Sequence, residues 1–411
     1  MKVINCFLGF VVLSCGILCA QAAAPAQIPA HLPGPVRLLL PPRIYAVPGI
    51  EMNVYFDNVS LMLNPGNYAF GVTCAKGKQQ VERWTFVPTE QDLGQFPLVL
   101  EVRDETNKII ARAESVLEVV PKNAGAGMPV SFLTIGDSLT YKDGYPAHLL
   151  ELGKAEGNPQ ITLIGHVPNE KNPNVRIEGY GGWTTASFAT YFKEEKRDEG
   201  SGDLRAWNSS RSPFLYPSGH GKVKLDFARY CQEFNGGKGP DVVTIFLGCN
   251  DNFLAKDETI ETSIDTMFKH YDVLVDMIHQ VRKDTKIGVV LMVPPAATQD
   301  AFGANYQCIQ TRWQYKRNQH RAVERMIEKY GNREAEFIYL VPSNSNLDCA
   351  HNYPMIKAPV NSETNIEGLR LNNGVHPSGE GFRQIGDTIF CWLKAQLAEK
   401  AQLDAVSAPG R

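Results

Sequence analysis

The chain is expected to fold in two parts, an N-terminal all-β sandwich and a larger α/β unit built on a parallel sheet. Three observations lead there. A length of 411 residues exceeds what one hydrophobic core usually serves. Residues 36 to 120 hold apolar runs of strand length separated by turn clusters. From residue 130 onward, continuous Val/Ile/Leu runs alternate with stretches of helical periodicity, the pattern of parallel strands covered on both faces. The composition, 43% hydrophobic and 21% charged, is that of an ordinary globular protein.

Residues 1–22 read as a signal peptide and stand outside the fold. Lys2 is the only charge, Ile4 to Leu18 is almost wholly apolar, and Ala20-Gln21-Ala22 fits a small-x-small cleavage site, so the mature chain is expected to begin near Ala23. The alternative is lipid anchoring at Cys15, where Val12-Leu13-Ser14-Cys15 partly matches a lipoprotein signal but Leu13 fits it poorly. No other run approaches the ~18 apolar residues of a membrane span. The expected location is therefore secreted or periplasmic.

Removing that segment leaves 40 basic against 44 acidic side chains. The Lys and Arg residues are scattered among acids, which argues against nucleic acid as a partner, since binding to phosphate backbones needs a clustered basic surface. Composition carries no signal for oligomeric state. Of the six remaining cysteines, Cys308 and Cys349 sit in irregular flanks and are the candidates for a disulfide, whereas Cys249 at a strand end is expected to be a buried thiol.

The β part, residues 36–120, is predicted from runs at Val36–Leu40, Met52–Phe56, Phe70–Cys74, Val81–Val87, Leu98–Val102 and Ile110–Val120. Leu98, Leu100 and Val102 share one face, as do Ala111, Ala113, Ser115, Leu117 and Val119. With Trp84 and a single cysteine, Cys74, the sandwich resembles an immunoglobulin-like module without the inter-sheet disulfide. A packing or spacer role and a carbohydrate-binding role both remain open for it.

Residues 121–129, Pro-Lys-Asn-Ala-Gly-Ala-Gly-Met-Pro, read as a linker. Beyond it, strands are expected at Val130–Ile135, Ile161–Ile164, Val242–Leu247, Ile287–Val293 and Phe337–Val341. Helices are expected at 144–155, 184–196, 224–234, 258–283, 307–330 and 379–399. In such sheets the crevice lies beyond the carboxyl ends of the strands.

Four short stretches fall where that crevice should be. The strand from Val130 ends in Gly136-Asp137-Ser138-Leu139, which puts a hydroxyl on a strand-to-helix turn near orphan backbone N–H groups; by itself this is either a nucleophile or a capped connection. Gly248-Cys249-Asn250-Asp251 ends another buried strand and delivers an amide donor to the same rim. Gly179-Tyr180-Gly181-Gly182-Trp183-Thr184 offers a bare backbone N–H at Gly182. Finally, Asn372-Asn373-Gly374-Val375-His376-Pro377 supplies an imidazole able to take a serine proton.

Serine, glycine N–H, asparagine amide and histidine in that chain order resemble the SGNH (GDSL-type) hydrolases, over residues 130–400. The resemblance implies a flavodoxin-like α/β/α sandwich and ester hydrolysis through an acyl-enzyme without a cofactor. It matches Ser138 to the nucleophile, His376 to the general base, and the Ser138 N–H, Gly182 and Asn250 to the oxyanion hole. The family usually has an aspartate three residues before the histidine, and here that residue is Asn373. An asparagine can orient the ring but brings no charge and permits the wrong tautomer; Glu367 and Glu380 are the flanking carboxylates that could substitute.

Trp183 is a candidate for stacking on a sugar ring, with core packing as the alternative. The segment 200–221, with Trp207, Phe214 and Tyr216, is expected to form an aromatic loop at the mouth. His220, His270, His279, His320 and His351 show no metal-ligand spacing, and no metal site is expected. The reading is an exported serine esterase removing acyl groups, with acetyl on carbohydrate the expected substrate. The alternatives are a lipid or lysophospholipid esterase, and a catalytically impaired glycan-binding protein on the same scaffold.

Overall fold

The structure, a computed structural model, describes residues 36–141, 144–169, 171–193 and 211–407, without the side chains beyond residue 398. The expected signal peptide, Cys15 and Trp207 lie outside the described residues.

The N-terminal region is all-β. One sheet has the order Arg43–Ala46, Ile109–Val119, Gly94–Arg103, Ala69–Cys74, and a second has the order Met52–Tyr55, Arg83–Phe86, Lys78–Gln79. The alternation of Leu98, Leu100 and Val102 emerges as three buried side chains on one face. Two expected strands are shorter than the apolar runs suggested. Val81 lies in the hairpin turn closed by Gln80 N–H to the Arg83 carbonyl at 2.7 Å, and it is exposed. From the Val36–Leu40 run only Arg37–Leu38 pairs, against Ser60–Leu61.

Residues 121–128 form successive turns, packed rather than loose. Gly125 has φ +70°, and a Cβ there would meet the Leu397 side chain of the last helix at 2.5 Å, so only glycine closes this approach. The β region also makes buried polar contacts with the rest of the chain. Asn346 Oδ1 accepts from the Asn53 backbone N–H at 2.8 Å and side-chain amide at 3.0 Å, and Asp57 is paired with Arg312 and Lys316.

In the larger part, Pro129–Gly136 is the central strand. It pairs in parallel with Gln160–Ile164 along its first half and with Arg176–Gly179 at its end. On its other side follow Val242–Phe246, Lys286–Val290 and Ile338–Val341, all parallel. The helices Tyr145–Gly153 and Gly379–Ser407 pack together, with Tyr145 against Phe246 and Trp392 filling the space over Gly288. Ile260–Val281 contacts Thr185–Thr190, Phe227–Phe234 and Arg312–Tyr330. Helices therefore cover both sides of a mixed sheet, parallel except for the short edge strand Val167–Pro168, which pairs antiparallel with Arg176–Gly179, and no described helix is long and apolar enough to cross a membrane.

Several expected boundaries are corrected. The helix expected at 307–330 begins only at Arg312, and a separate helix, Gln299–Tyr306, precedes it, because Gln307 takes φ +53° and Thr311 opens Arg312–Tyr330 by accepting the Gln314 N–H at 3.1 Å. The 184–196 helix stops at Thr190, where Tyr191 turns extended. Two hairpins, Leu215–Gly219 with Lys222–Leu225 and Met355–Pro359 with Glu367–Leu371, stand where no strands are expected from the sequence. The expected Cys308–Cys349 bridge is absent: Cys308 is an exposed thiol and Cys349 a buried one.

Candidate active site

The sheet register brings the four stretches together. Gly136 pairs with Phe246 on one side and Gly179 on the other, so the turns that follow these three strands share one rim. The Tyr180 N–H donates to the Gly136 carbonyl at 3.1 Å, tying the glycine turn to the serine turn. Asp251, beside Asn250, accepts the Thr185 N–H at 3.1 Å and its hydroxyl at 2.6 Å, which fastens the glycine turn to the asparagine turn as well.

Ser138, half-buried at the end of the central strand, has its Oγ 2.8 Å from His376 Nε2. On the far side of the ring, His376 Nδ1 lies 3.3 Å from Asn373 Oδ1. The same Oδ1 accepts the backbone N–H of Val375 at 3.1 Å and of His376 at 2.9 Å. Those two donors identify the oxygen end of the amide, so Nδ1 carries the hydrogen and Nε2 presents its lone pair to the serine. Through this oxygen Asn373 favours the tautomer useful to Ser138, where the sequence alone left the wrong one open as well.

Neither proposed carboxylate substitutes for it. Glu367 pairs with Lys357 at 3.3 Å, and Glu380 is taken by the Ser378 hydroxyl at 2.8 Å and Arg383 at 3.0 Å. Burial holds the His376 imidazole below the ordinary histidine pKa, and among the described residues no carboxylate offsets it.

Gly182 is the third residue of a turn closed by the Trp183 N–H on the Tyr180 carbonyl at 3.2 Å. It takes φ +78°, as that position of a type II turn requires, and a Cβ there would meet nothing within 4 Å. Its own N–H makes no hydrogen bond among the described residues and opens on an exposed edge. Gly248, which precedes the Asn250 turn, has φ +119°, and a Cβ would lie 2.8 Å from the sulfurs of Met267 and Met292. Asn250 donates through Nδ2 to Asp137 Oδ2 at 3.1 Å and to the Trp183 carbonyl at 3.0 Å.

Asp137 is a site residue that the sequence reading passed over. Its carboxylate is buried, accepts the Leu139 N–H at 2.9 Å through Oδ1, and faces Asn250 through Oδ2. Burial, helped by the charge of Asp251, pushes it up to about 7. The signal was present in the Gly-Asp-Ser motif itself, but a contact with a residue 113 positions away is invisible to local pattern.

The aromatic expectations are corrected. Trp183 is only 5% exposed, its ring stacked on Tyr180 at 4.2 Å and edged by Phe188 and Tyr191, so it packs the rim from beneath and leaves no ring face open to a sugar. Phe214 and Tyr216 are likewise buried, Phe214 among Phe188, Phe227 and Tyr230. Among the described residues no three His, Cys, Asp or Glu side chains are grouped to hold a metal ion.

A family model, the GDSL-like lipases and acylhydrolases, matches residues 132–389. That is more than half of the chain, which belongs to this family and is by membership an SGNH-type ester hydrolase. No curated protein sequence matches it significantly. Among solved structures it is similar to a family 3 carbohydrate esterase of Clostridium thermocellum, with 17% identity over 66% of this chain and 99% of that one at a TM-score of 0.37. A protein from Chitinophaga pinensis described as a possible lipase aligns with 15% identity over 66% and 99% of the two chains at 0.35. A carbohydrate acetylesterase family member from Sinorhizobium meliloti aligns with 13% identity over 65% and 99% at 0.34.

Proposed function

We propose that the protein removes short acyl groups, acetyl above all, from a carbohydrate outside the cytoplasm, with Ser138 as nucleophile and His376 as general base. The observation that carries the chemistry is the 2.8 Å approach of Ser138 Oγ to His376 Nε2, with the lone pair directed by Asn373. Ser138 Oγ adds to the ester carbonyl carbon as its proton passes to Nε2. The resulting oxyanion accepts hydrogen bonds from the Ser138 and Gly182 N–H groups and the Asn250 amide. The C–O bond then breaks, Nε2–H protonates the departing alcohol, and an acyl-serine remains. Water, activated by the same nitrogen, hydrolyses it.

Two features support a carbohydrate alcohol. The leader expected over residues 1–22 would carry the enzyme to where polysaccharides are met. A cleft of about 1150 Å³ between the β region and the Arg312–Tyr330 helix, separate from the Ser138 site and lined by Tyr68, Asn64, Arg112, Trp313 and Arg317, would hold the sugar chain at a distance from the ester. Trp313 is half-buried and makes no hydrogen bond or ring contact among the described residues, unlike Trp84 and Trp183. An aromatic face among charged and amide groups suits a sugar chain, which offers both an apolar ring face and hydroxyls.

A panel of p-nitrophenyl esters of increasing chain length, with Ser138→Ala as control, tests this. Efficiency should fall once the acyl chain passes about four carbons, because a short pocket clashes with further methylenes, and Ser138→Ala should be inactive with unchanged stability. Efficiency rising to long chains would point to a lipid esterase; glycan binding without turnover of any ester would point to a binding protein.

A further inference from the structure

The Asn250 amide has two hydrogens, and both are engaged in the resting site. One goes to the Trp183 carbonyl at 3.0 Å and the other to Asp137 Oδ2 at 3.1 Å. A backbone carbonyl can only accept, so the Trp183 contact identifies the nitrogen end of the amide and leaves Asp137 facing a donor. Asp137 Oδ1 meets a second donor, the Leu139 N–H at 2.9 Å. Among side chains of this size only an ionised carboxylate offers an acceptor in both directions; an asparagine would satisfy Leu139 and turn an N–H₂ against the N–H₂ of Asn250. A buried carboxylate is costly, and capping Leu139 alone would not need one.

From this pair of contacts we propose that Asp137 is the positioning residue of the oxyanion hole, fixing the amide plane of Asn250 so that its donor stands ready when the oxyanion forms. The inference rests on the reading of Asn250 as an oxyanion donor. It also explains why the acid adjoins the nucleophile. The Thr140 N–H on the Asp137 carbonyl, at 3.1 Å, closes the turn that carries Ser138, so one turn sets both the attacking oxygen and the amide that stabilises the product of attack. Bonds of 3.0–3.1 Å hold the amide without preventing one hydrogen from being shared with a substrate oxygen.

The test is a double-mutant cycle in the full chain on p-nitrophenyl acetate, comparing Asp137→Asn, Asn250→Ala and the double variant, with rates per site titrated by a serine-directed phosphonate. Asp137→Asn should lower kcat by about 10²–10³ with KM changed less than about twofold, the signature of a lost oxyanion donor. In the Asn250→Ala background the same change should cost less than about threefold, because there is no amide left to position. If Asp137→Asn does not fold, Asp137→Ser, which keeps an acceptor for Leu139 but cannot reach Asn250, takes its place with the same expectation. Equal losses in both backgrounds, or no loss in either, would overturn the positioning role while leaving Asn250 as a donor. A neutral Asn250→Ala would remove the underlying reading of Asn250, and the inference with it.

Discussion

His376 Nδ1 and Asn373 Oδ1 stand 3.3 Å apart, the longest of the three contacts made to that one oxygen. Two backbone N–H groups already occupy it, so the ring receives what acceptor capacity is left. The pairing resolves the two jobs that an aspartate performs in such triads. Holding the tautomer needs an acceptor of fixed orientation, which Asn373 is. Stabilising the imidazolium needs negative charge, which Asn373 lacks.

Asn373→Asp should therefore raise kcat, by about tenfold. An asparagine-for-aspartate exchange in a serine protease triad costs about 10⁴ because it yields the wrong tautomer, but that loss does not arise here. What remains is a charged in place of a neutral acceptor, worth roughly 1–1.5 kcal/mol, and 1.36 kcal/mol is a factor of about ten. The new carboxylate can keep Oδ1 on the two backbone donors and offer Oδ2 to the ring. Steady-state rates on fresh protein test this, with mass measurement to exclude deamidation at Asn373-Gly374. An unchanged or lower kcat would mean that charge at this position is not limiting.

The pH profile carries a second sign. Burial lowers the His376 pKa, and the neutral ring is the active base. The part of the acid limb of kcat/KM that His376 contributes should then fall below the ordinary histidine value of about 6.5, beneath the part contributed by Asp137, which burial pushes up to about 7. In Asn373→Asp the limb should move upward, because a carboxylate favours the imidazolium. For stability, the unfolded chain binds a proton below about pH 6.5 that the folded ring refuses, so this residue's effect is a loss of stability as pH falls through that window and none above it. A limb above about 6.5 that persists in Asp137→Ser, where the second titrating group is gone, would contradict the burial argument.

What could be read from sequence at this site was whatever depends on strand ends. Ser138 and Asn250 each follow a buried apolar run, and in a parallel sheet such runs finish on one rim; Gly182 follows Arg176–Gly179, a strand not expected from the sequence because Arg-Ile-Glu-Gly carries no such run. His376 was legible from its own short motif before a helix. The tautomer control by Asn373 was not, because it depends on which backbone N–H groups reach Oδ1. Asp137 was missed because its partner comes from another strand. The aromatic residues Trp183, Phe214 and Tyr216 misled for a related reason. Their side chains fit a sugar or a core equally well by type, and only packing decides, here in favour of the core. In the fold, the parallel strands were visible as unbroken Val/Ile/Leu runs, whereas the short polar hairpins at 215–225 and 355–371 lack such runs.

Thiol chemistry offers a third test. Cys308 is exposed and unpaired, while Cys231, Cys249, Cys349 and Cys391 are buried. A disulfide-exchange reagent should titrate Cys308 rapidly in the native protein and the buried thiols only on unfolding. Because no bridge joins the described cysteines, reductant should leave Tm unchanged, where breaking a disulfide would cost about 2–4 kcal/mol. Absence of the fast thiol together with a reductant-sensitive Tm would restore the Cys308–Cys349 pairing.

The fourth prediction concerns Trp313, whose indole lines the cleft between the β region and the Arg312–Tyr330 helix. If that cleft seats a sugar chain, Trp313→Ala should raise KM for an acetylated oligosaccharide about tenfold. Loss of a well-engaged aromatic contact commonly exceeds 1 kcal/mol, and each 1.4 kcal/mol is a factor of ten in affinity. Turnover of p-nitrophenyl acetate should not change, since none of Ser138, Gly182, Asn250 and His376 lines the cleft. Trp313 is absent from the packed apolar core, so the substitution should also leave Tm nearly unaltered. Stability is the control that matters, because the helix carrying Trp313 also carries Arg312 and Lys316, which bind Asp57 of the β region. An equal change on both substrates, or a fall in Tm large enough to account for it, would mean that the indole supports the contact between the two parts of the chain and touches no glycan.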